Sequence, residues 1–210
     1  DLIDVQKLLS DYFTLKPDAS IAEQRVVFGT SGHRGSSFKS SFNETHVLAI
    51  TQALCDYRKA HNVTGTLFVA KDTHALSTPA QITALRVMVA NGVKCAIAKD
   101  DGYTPTPVLS FSVIEANKTA TELCDGVVIT PSHNPPQDGG FKYNPSNGGP
   151  ADTDVTSVIE TRANEYVKNG LEGVLSVTEE EALAQTLEMD FITPYVKALD
   201  SIIDMKLLQQ

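Results

Sequence analysis

The chain has 210 residues, enough for one generous domain or two small ones around a substantial core. Its 26 Asp and Glu against 17 Lys and Arg give a formal charge of −9, which excludes an extended basic face for nucleic acid or anionic membrane and leaves room only for a local cationic pocket. Cys55, Cys95 and Cys124 are too scattered for a CxxC metal knuckle or a disulfide framework and read as reduced core residues, the cytosolic pattern. The acidic start Asp1-Leu2-Ile3-Asp4 is unlike the basic opening of a signal peptide, and no apolar run approaches the ~18 residues of a membrane span. A soluble cytoplasmic protein is expected, with neither nucleic acid nor membrane as partner.

In chain order, Val5, Leu8, Leu9 and Tyr12 share one helix face and Pro17 closes the stretch, so residues 1–20 read as an N-terminal appendage helix. Strand-length apolar runs follow at Val26-Val27-Phe28, Leu67 to Ala70, Val93 to Ala98 and Val127-Val128-Ile129. Helices are predicted between them. One spans residues 43–60, with Ser41 and Glu44 spaced as a capping box. A second runs from Pro79, N-capped by Thr78, to just before Gly92, and a third opens at Pro107 after Thr106. A fourth follows Asp152 or Asp154, along Val155, Val158, Ile159, Arg162 and Tyr166, and stops near Gly170. This alternation predicts an α/β fold, a layered α/β/α domain with a mixed, mostly parallel sheet. Thr178 to Glu181 spells a second capping box, Phe191 to Ile203 another amphipathic helix, and the unclosed ending Leu207-Leu208-Gln209-Gln210 reads as a cut at a domain boundary.

Ligands of open α/β sheets gather at the carboxyl ends of strands, and three conspicuous loops fall there. The first, Gly29-Thr30-Ser31-Gly32-His33-Arg34-Gly35, combines glycines that let backbone N–H groups approach an anion, two hydroxyls, and a guanidinium whose fork matches phosphate oxygens. It is neither GxxxxGK[ST] nor GxGxxG, so no nucleotide is indicated. In the second, Lys71 to Ser77, Asp72 is expected to shape the turn by accepting backbone N–H bonds, and Ser77 or Thr78 to cap the next helix.

The third loop runs from Thr130 to Pro150. Pro131 and Pro135-Pro136 leave Ser132, His133 and Asn134 little freedom to relax. Neighbouring Ser and His side chains diverge and there is no GxSxG elbow, so a hydrolase triad does not fit. A stiffly presented serine does suit a phosphate carrier, provided cations converge on it, and Gly139-Gly140-Phe141-Lys142-Tyr143-Asn144 returns Lys142 on a short extended segment. The loop taken alone reads equally well as a proline-bounded turn with a surface histidine.

Three motifs in order and rough spacing decide between these readings. Thr130-Pro131-Ser132-His133-Asn134-Pro135, the GTSGHRG loop, and GGFKYN followed by Asn147-Gly148-Gly149-Pro150 resemble the α-D-phosphohexomutase superfamily, the bacterial phosphoglucomutases most closely. The resemblance covers most of the chain. It implies the first domain of a four-domain enzyme, residues 21–204, with 205–210 beginning the linker to a second domain. The implied reaction interconverts glucose 1-phosphate and glucose 6-phosphate through phosphorylated Ser132 and a glucose 1,6-bisphosphate that turns over midway; this fragment alone is expected to be inactive. By the same resemblance the catalytic set is Ser132, Arg34, His133 and Lys142, with Lys142 and His133 both open as proton shuttle. Thr30, Ser31, Gly32, His33 and Asn134 join Arg34 and Lys142 in binding phosphate.

Mg²⁺ is implied too, on one oxygen of the Ser132 phosphate and a DxDxD loop of the second domain. The single D-x-D of this sequence, Asp152-Thr153-Asp154, reads as helix capping. His74 stands where relatives often carry arginine, so no catalytic task is assigned to its loop. The expected partners are a sugar phosphate and the remaining domains of the same enzyme. Mannose or glucosamine phosphates as substrate stay open, as does a non-catalytic phosphoserine or anion-binding module.

Overall fold

The computed structural model describes residues 2–29 and 32–208. Its strands are β1 (His33–Ser36), β2 (Leu67–Lys71), β3 (Cys95–Ala98), β4 (Asp125–Ile129), β5 (Asp138–Asn144) and β6 (Leu187–Met189). The helices are α1 (Val5–Thr14), α2 (Glu44–Ala60), α3 (Ser77–Ala90), α4 (Thr106–Asn117), α5 (Thr153–Lys168), α6 (Glu179–Gln185), α7 (Ile192–Ala198) and α8 (Met205–Leu208). One six-stranded sheet has the order β1-β5-β4-β2-β3-β6. β4, β2, β3 and β6 run parallel, and β5 lies antiparallel between β4 and β1. Parallel strands need crossovers: α3 joins β2 to its neighbour β3, and α4 carries the chain from β3 past β2 to β4.

Alternation along the strands divides the interior into two layers. Leu67, Val69, Val127 and Ile129 point into a core shared with α2, α3 and α5, whereas Phe68, Ala70 and Val128 pack with Val108, Leu109 and Val113 of α4 and with Phe191. Both faces are covered, which is why β2 and β4 read as unbroken apolar runs. The three cysteines are buried and unbridged. No described helix is long and apolar enough to cross a membrane.

Several elements differ from the sequence reading. Val26-Val27-Phe28 is extended but pairs with no strand. Side chains of α5 take its backbone bonds instead: Asn164 accepts from the Val26 N–H at 3.0 Å and donates to its carbonyl at 2.8 Å, and Glu160 accepts from the Phe28 N–H at 2.7 Å. The first strand therefore begins inside the glycine loop, at His33. Asn43, not Ser41, caps α2, because Ser41 Oγ accepts the Ser36 N–H at 3.0 Å; His46 Nδ1 completes the box by accepting the Asn43 N–H at 3.1 Å. The box at Thr178 and Glu181 forms as spelled. The helix predicted through Ile203 breaks after Ala198 into a 3-10 turn, and the three-residue edge strand β6 is too short to leave a pattern.

The terminal helix α1 is docked. Leu8 and Tyr12 are fully buried, Ser37 Oγ donates to the Leu8 carbonyl at 2.7 Å, Asn43 donates to the Asp11 carbonyl at 2.8 Å, and Tyr12 OH reaches Thr83 Oγ1 at 3.1 Å. Leu8→Ala is expected to remove about 2–3 kcal/mol of stability. Chemical denaturation would read this, and an unchanged midpoint would mean that the helix is not docked in solution.

Candidate active site

The topology brings the three loops to one end of the sheet. Lys71 of β2 lies level with Ile129 of β4, so the chains that follow them leave the sheet side by side. β5 outruns its neighbour: Phe141 to Asn144 pair with β4, while Asp138 to Phe141 continue past the carboxyl ends of the parallel strands and pair with β1. This overhang sets Arg34 opposite Gly140. Residues opposite each other in an antiparallel pair share a face, as do residues two apart, so Arg34, Gly140 and Lys142 all face one way. The third loop crosses the same face. A Cβ on Gly140 would stand 2.2 Å from the Thr130 carbonyl oxygen and 2.8 Å from Pro131 Cα, so only glycine permits the crossing.

Ser132 sits where the loop turns. Its φ of 69° is left-handed for a residue other than glycine, a conformation that costs about 1–3 kcal/mol and persists only where the surroundings enforce it. The Ser132 N–H donates to Thr130 Oγ1 at 2.9 Å, and the exposed hydroxyl accepts from Lys142 Nζ at 3.3 Å. Lys142 is half-buried, and its pKa lies below the usual lysine value because burial penalises the ammonium and Arg34 repels it, with Asp72 pulling weakly the other way. A serine hydroxyl thus meets one cation that is in turn within electrostatic reach of a second. In a chain of charge −9 this local pair of cations beside an exposed hydroxyl is chemically suited to receive an anion.

Other residues of the expected set fall in different places. Thr30 and Ser31 lie outside the described residues. Gly32 is close to the site: its φ is 126°, and a Cβ there would come within 2.7 Å of Lys142 Cγ and 2.4 Å of the Phe141 carbonyl oxygen. The His33 side chain is turned away. It lies opposite Phe141 on the core face of β1, stacks on Phe42 at 5.9 Å and His46 at 5.2 Å, and has its pKa driven down to about 3 by burial and then by His46. It is a neutral core ring, not a ligand to the anion site. His133 is exposed beside Ser132, and the Asn134 amide is occupied in closing the turn, donating to Asp138 at 3.0 Å.

Asp72 was legible only as a turn-shaping residue, and the structure gives it more. Its Oδ1 accepts the His74 N–H at 3.0 Å and Ser77 Oγ at 2.6 Å. Its Oδ2 accepts Thr130 Oγ1 at 2.6 Å and lies 2.8 Å from His74 Nδ1. No sequence signal links residues 72 and 130, which are 58 positions apart.

All three loops fall within residues 25–170, the span matched by the family model for phosphoglucomutase/phosphomannomutase, alpha/beta/alpha domain I. The chain belongs to this family. It is 55% identical over 212 residues to the phosphoglucomutase of Komagataeibacter xylinus, an alignment that takes in 100% of this chain and 38% of that protein. The cytoplasmic phosphoglucomutase of Mesembryanthemum crystallinum is 32% identical over 199 residues, 87% of this chain and 34% of that one. Among solved structures, the open form of parafusin, a phosphoglucomutase from Paramecium, superposes with a TM-score of 0.73 at 22% identity over 92% of this chain and 37% of that one, a likeness of fold. The chain spans 34–38% of the length of these two curated relatives.

Among the described residues no three His, Cys, Asp or Glu side chains are grouped to hold a metal ion. Asp72, whose charge is felt at Lys142, already takes donors on both oxygens. Asp152 and Asp154 sit at the start of α5, where Asp154 accepts its own helix's Val155 N–H at 2.9 Å. The residues present therefore do not make a cation site by themselves.

Proposed function

We propose that the full-length protein is a phosphoglucomutase and that Ser132 carries the phosphoryl group. The observation that carries this reading is the exposed Ser132 hydroxyl, held by a left-handed backbone at 3.3 Å from Lys142 Nζ on the face that Arg34 shares. Phosphorylated Ser132 would transfer its phosphoryl group to a free hydroxyl of the bound hexose phosphate, whose proton leaves as the new P–O bond forms and the Ser132 O–P bond breaks. The resulting glucose 1,6-bisphosphate turns over and returns its other phosphate to Ser132. Charge in such a transition state is spread over the equatorial oxygens, so cations held in place lower the barrier. Arg34 and Lys142 are those cations. Lys142, whose Nζ meets the Ser132 hydroxyl, and His133, exposed beside that serine, are the two candidates for the proton transfer.

Mg²⁺ enters this proposal only through the family. This chain would offer it one oxygen of a Ser132 phosphate, and the remaining ligands and the sugar-recognising loops would come from further domains. We assign residues 21–204 to the first domain and 205–210 to the link onward, and a cytoplasmic location, as in the plant relative's name. The test is a coupled assay of the full-length protein on glucose 1-phosphate with Mg²⁺ and glucose 1,6-bisphosphate, with the mannose and glucosamine phosphates in parallel. Preference for either of the latter would replace glucose as the substrate; no turnover of any would end the mutase reading.

A further inference from the structure

One carboxylate grips the Ser132 loop on both sides of the serine, and nothing in the reaction above uses it. Upstream, Asp72 Oδ2 accepts Thr130 Oγ1 at 2.6 Å, and the same Thr130 oxygen accepts the Ser132 N–H at 2.9 Å. Because the threonine proton is spent on the carboxylate, its oxygen can only accept from Ser132, so the polarity of the chain from N–H to hydroxyl to carboxylate is fixed. Downstream, His74 bridges Asp72 Oδ2 at 2.8 Å and the Asn134 carbonyl at 3.2 Å. The gripped segment contains the one residue of the loop with positive φ that is not glycine.

We infer that Asp72 and Thr130 are positioning residues that hold the Ser132 hydroxyl in line for phosphoryl transfer. This rests on the reading of Ser132 as the phosphoryl carrier. Released from Thr130, the exposed Ser132 backbone relaxes toward negative φ, and its Oγ leaves the place where Lys142 Nζ meets it. A displacement of about an ångström at the reacting atom is enough to cost about 100-fold in rate without altering how substrate binds elsewhere. Asparagine is a poor replacement for Asp72. With its NH₂ at Oδ1 it faces the His74 N–H, a backbone donor that cannot turn; with its NH₂ at Oδ2 it donates to Thr130 Oγ1, and the freed threonine proton no longer holds that oxygen to accepting from Ser132.

The experiment compares Asp72→Asn, Thr130→Val, Thr130→Ser and the double variant Asp72→Asn/Thr130→Val in the full-length protein. Asp72→Asn and Thr130→Val should each lower kcat by about 100-fold, with KM for glucose 1-phosphate within about 3-fold of the parent. Thr130→Ser, which keeps the hydroxyl, should recover kcat to within about 3-fold. Since the two residues act through one chain, the double variant should lie within about 3-fold of the worse single one. Hydrogen exchange at the Ser132 amide should be faster in Thr130→Val than in Thr130→Ser.

Should Asp72→Asn fail to fold, the valine and serine pair at position 130 decides alone. Parental kcat in Thr130→Val, a loss confined to KM, or single effects that multiply in the double variant would overturn the positioning role while the mutase reading stood. A parent protein that turns over no sugar phosphate overturns both.

Discussion

Ser132→Ala in the full-length protein is expected to abolish glucose 1-phosphate turnover, lowering kcat by at least ~10⁴-fold, because a covalent carrier has no substitute once its acceptor atom is gone. The effect should be chemical and not structural. Ser132 is exposed, its hydroxyl makes one hydrogen bond among the described residues, to Lys142, and the backbone bond to Thr130 does not involve the deleted oxygen. Alanine tolerates the same left-handed φ no worse than serine does, so the thermal midpoint should stay within a degree or two of the parent. Intact-mass measurement after incubation with glucose 1,6-bisphosphate should find one phosphate on the parent and none on the variant. A variant that keeps its turnover, or a parent phosphorylated at another residue, would contradict the assignment.

What the sequence reveals about this site follows from which forces act locally. β2 and β4 are legible because a strand buried on both faces must be apolar throughout, the first loop because its glycines, hydroxyls and guanidinium stand in a row, and the third because its prolines stiffen the frame around Ser132. The failure at His33 has one cause. With the strand placed at Val26 to Phe28, residues 29–35 read as a continuous loop in which every side chain is free to face the ligand. With the strand at His33–Ser36, period-two alternation turns His33 to the core the moment Arg34 turns to the site. The misplaced strand arises because Asn164 and Glu160 reach back from α5 to bind the Val26 and Phe28 backbone, a contact across 138 and 132 positions that no local pattern encodes. Asp72 shows the same division. Its bonds to His74 and Ser77 are local turn chemistry, whereas its bond to Thr130 exists only because β2 and β4 are neighbours in the sheet.

The second large effect is expected at Lys142, where methionine keeps the apolar stem beside Gly32 and removes the charge. Loss of a cation preorganised at a phosphoryl-transfer centre should lower kcat by about 10³-fold, with arginine at the same position recovering part of it, since the guanidinium is charged but its fork is wider than an ammonium. The protonation behaviour of Lys142 gives a sharper test. In the unphosphorylated protein, burial and Arg34 hold its pKa below the usual value, so folding disfavours the ammonium. A phosphate on Ser132 Oγ places nearly two negative charges at the atom now 3.3 Å from Nζ, and opposite charge at that range raises the pKa. The phosphorylated protein therefore binds the Lys142 proton more tightly than the unphosphorylated one. By linkage, the stability it gains from this pair is complete below the depressed pKa of the unphosphorylated form and disappears as pH climbs through the higher pKa of the phosphorylated form. Titration of the Lys142 Nζ or Cε resonance in both forms should show the rise. An equal or lower value on phosphorylation would mean that the phosphate does not lie against this amine, and Lys142→Met would then lose activity for some reason other than charge at the transferring group.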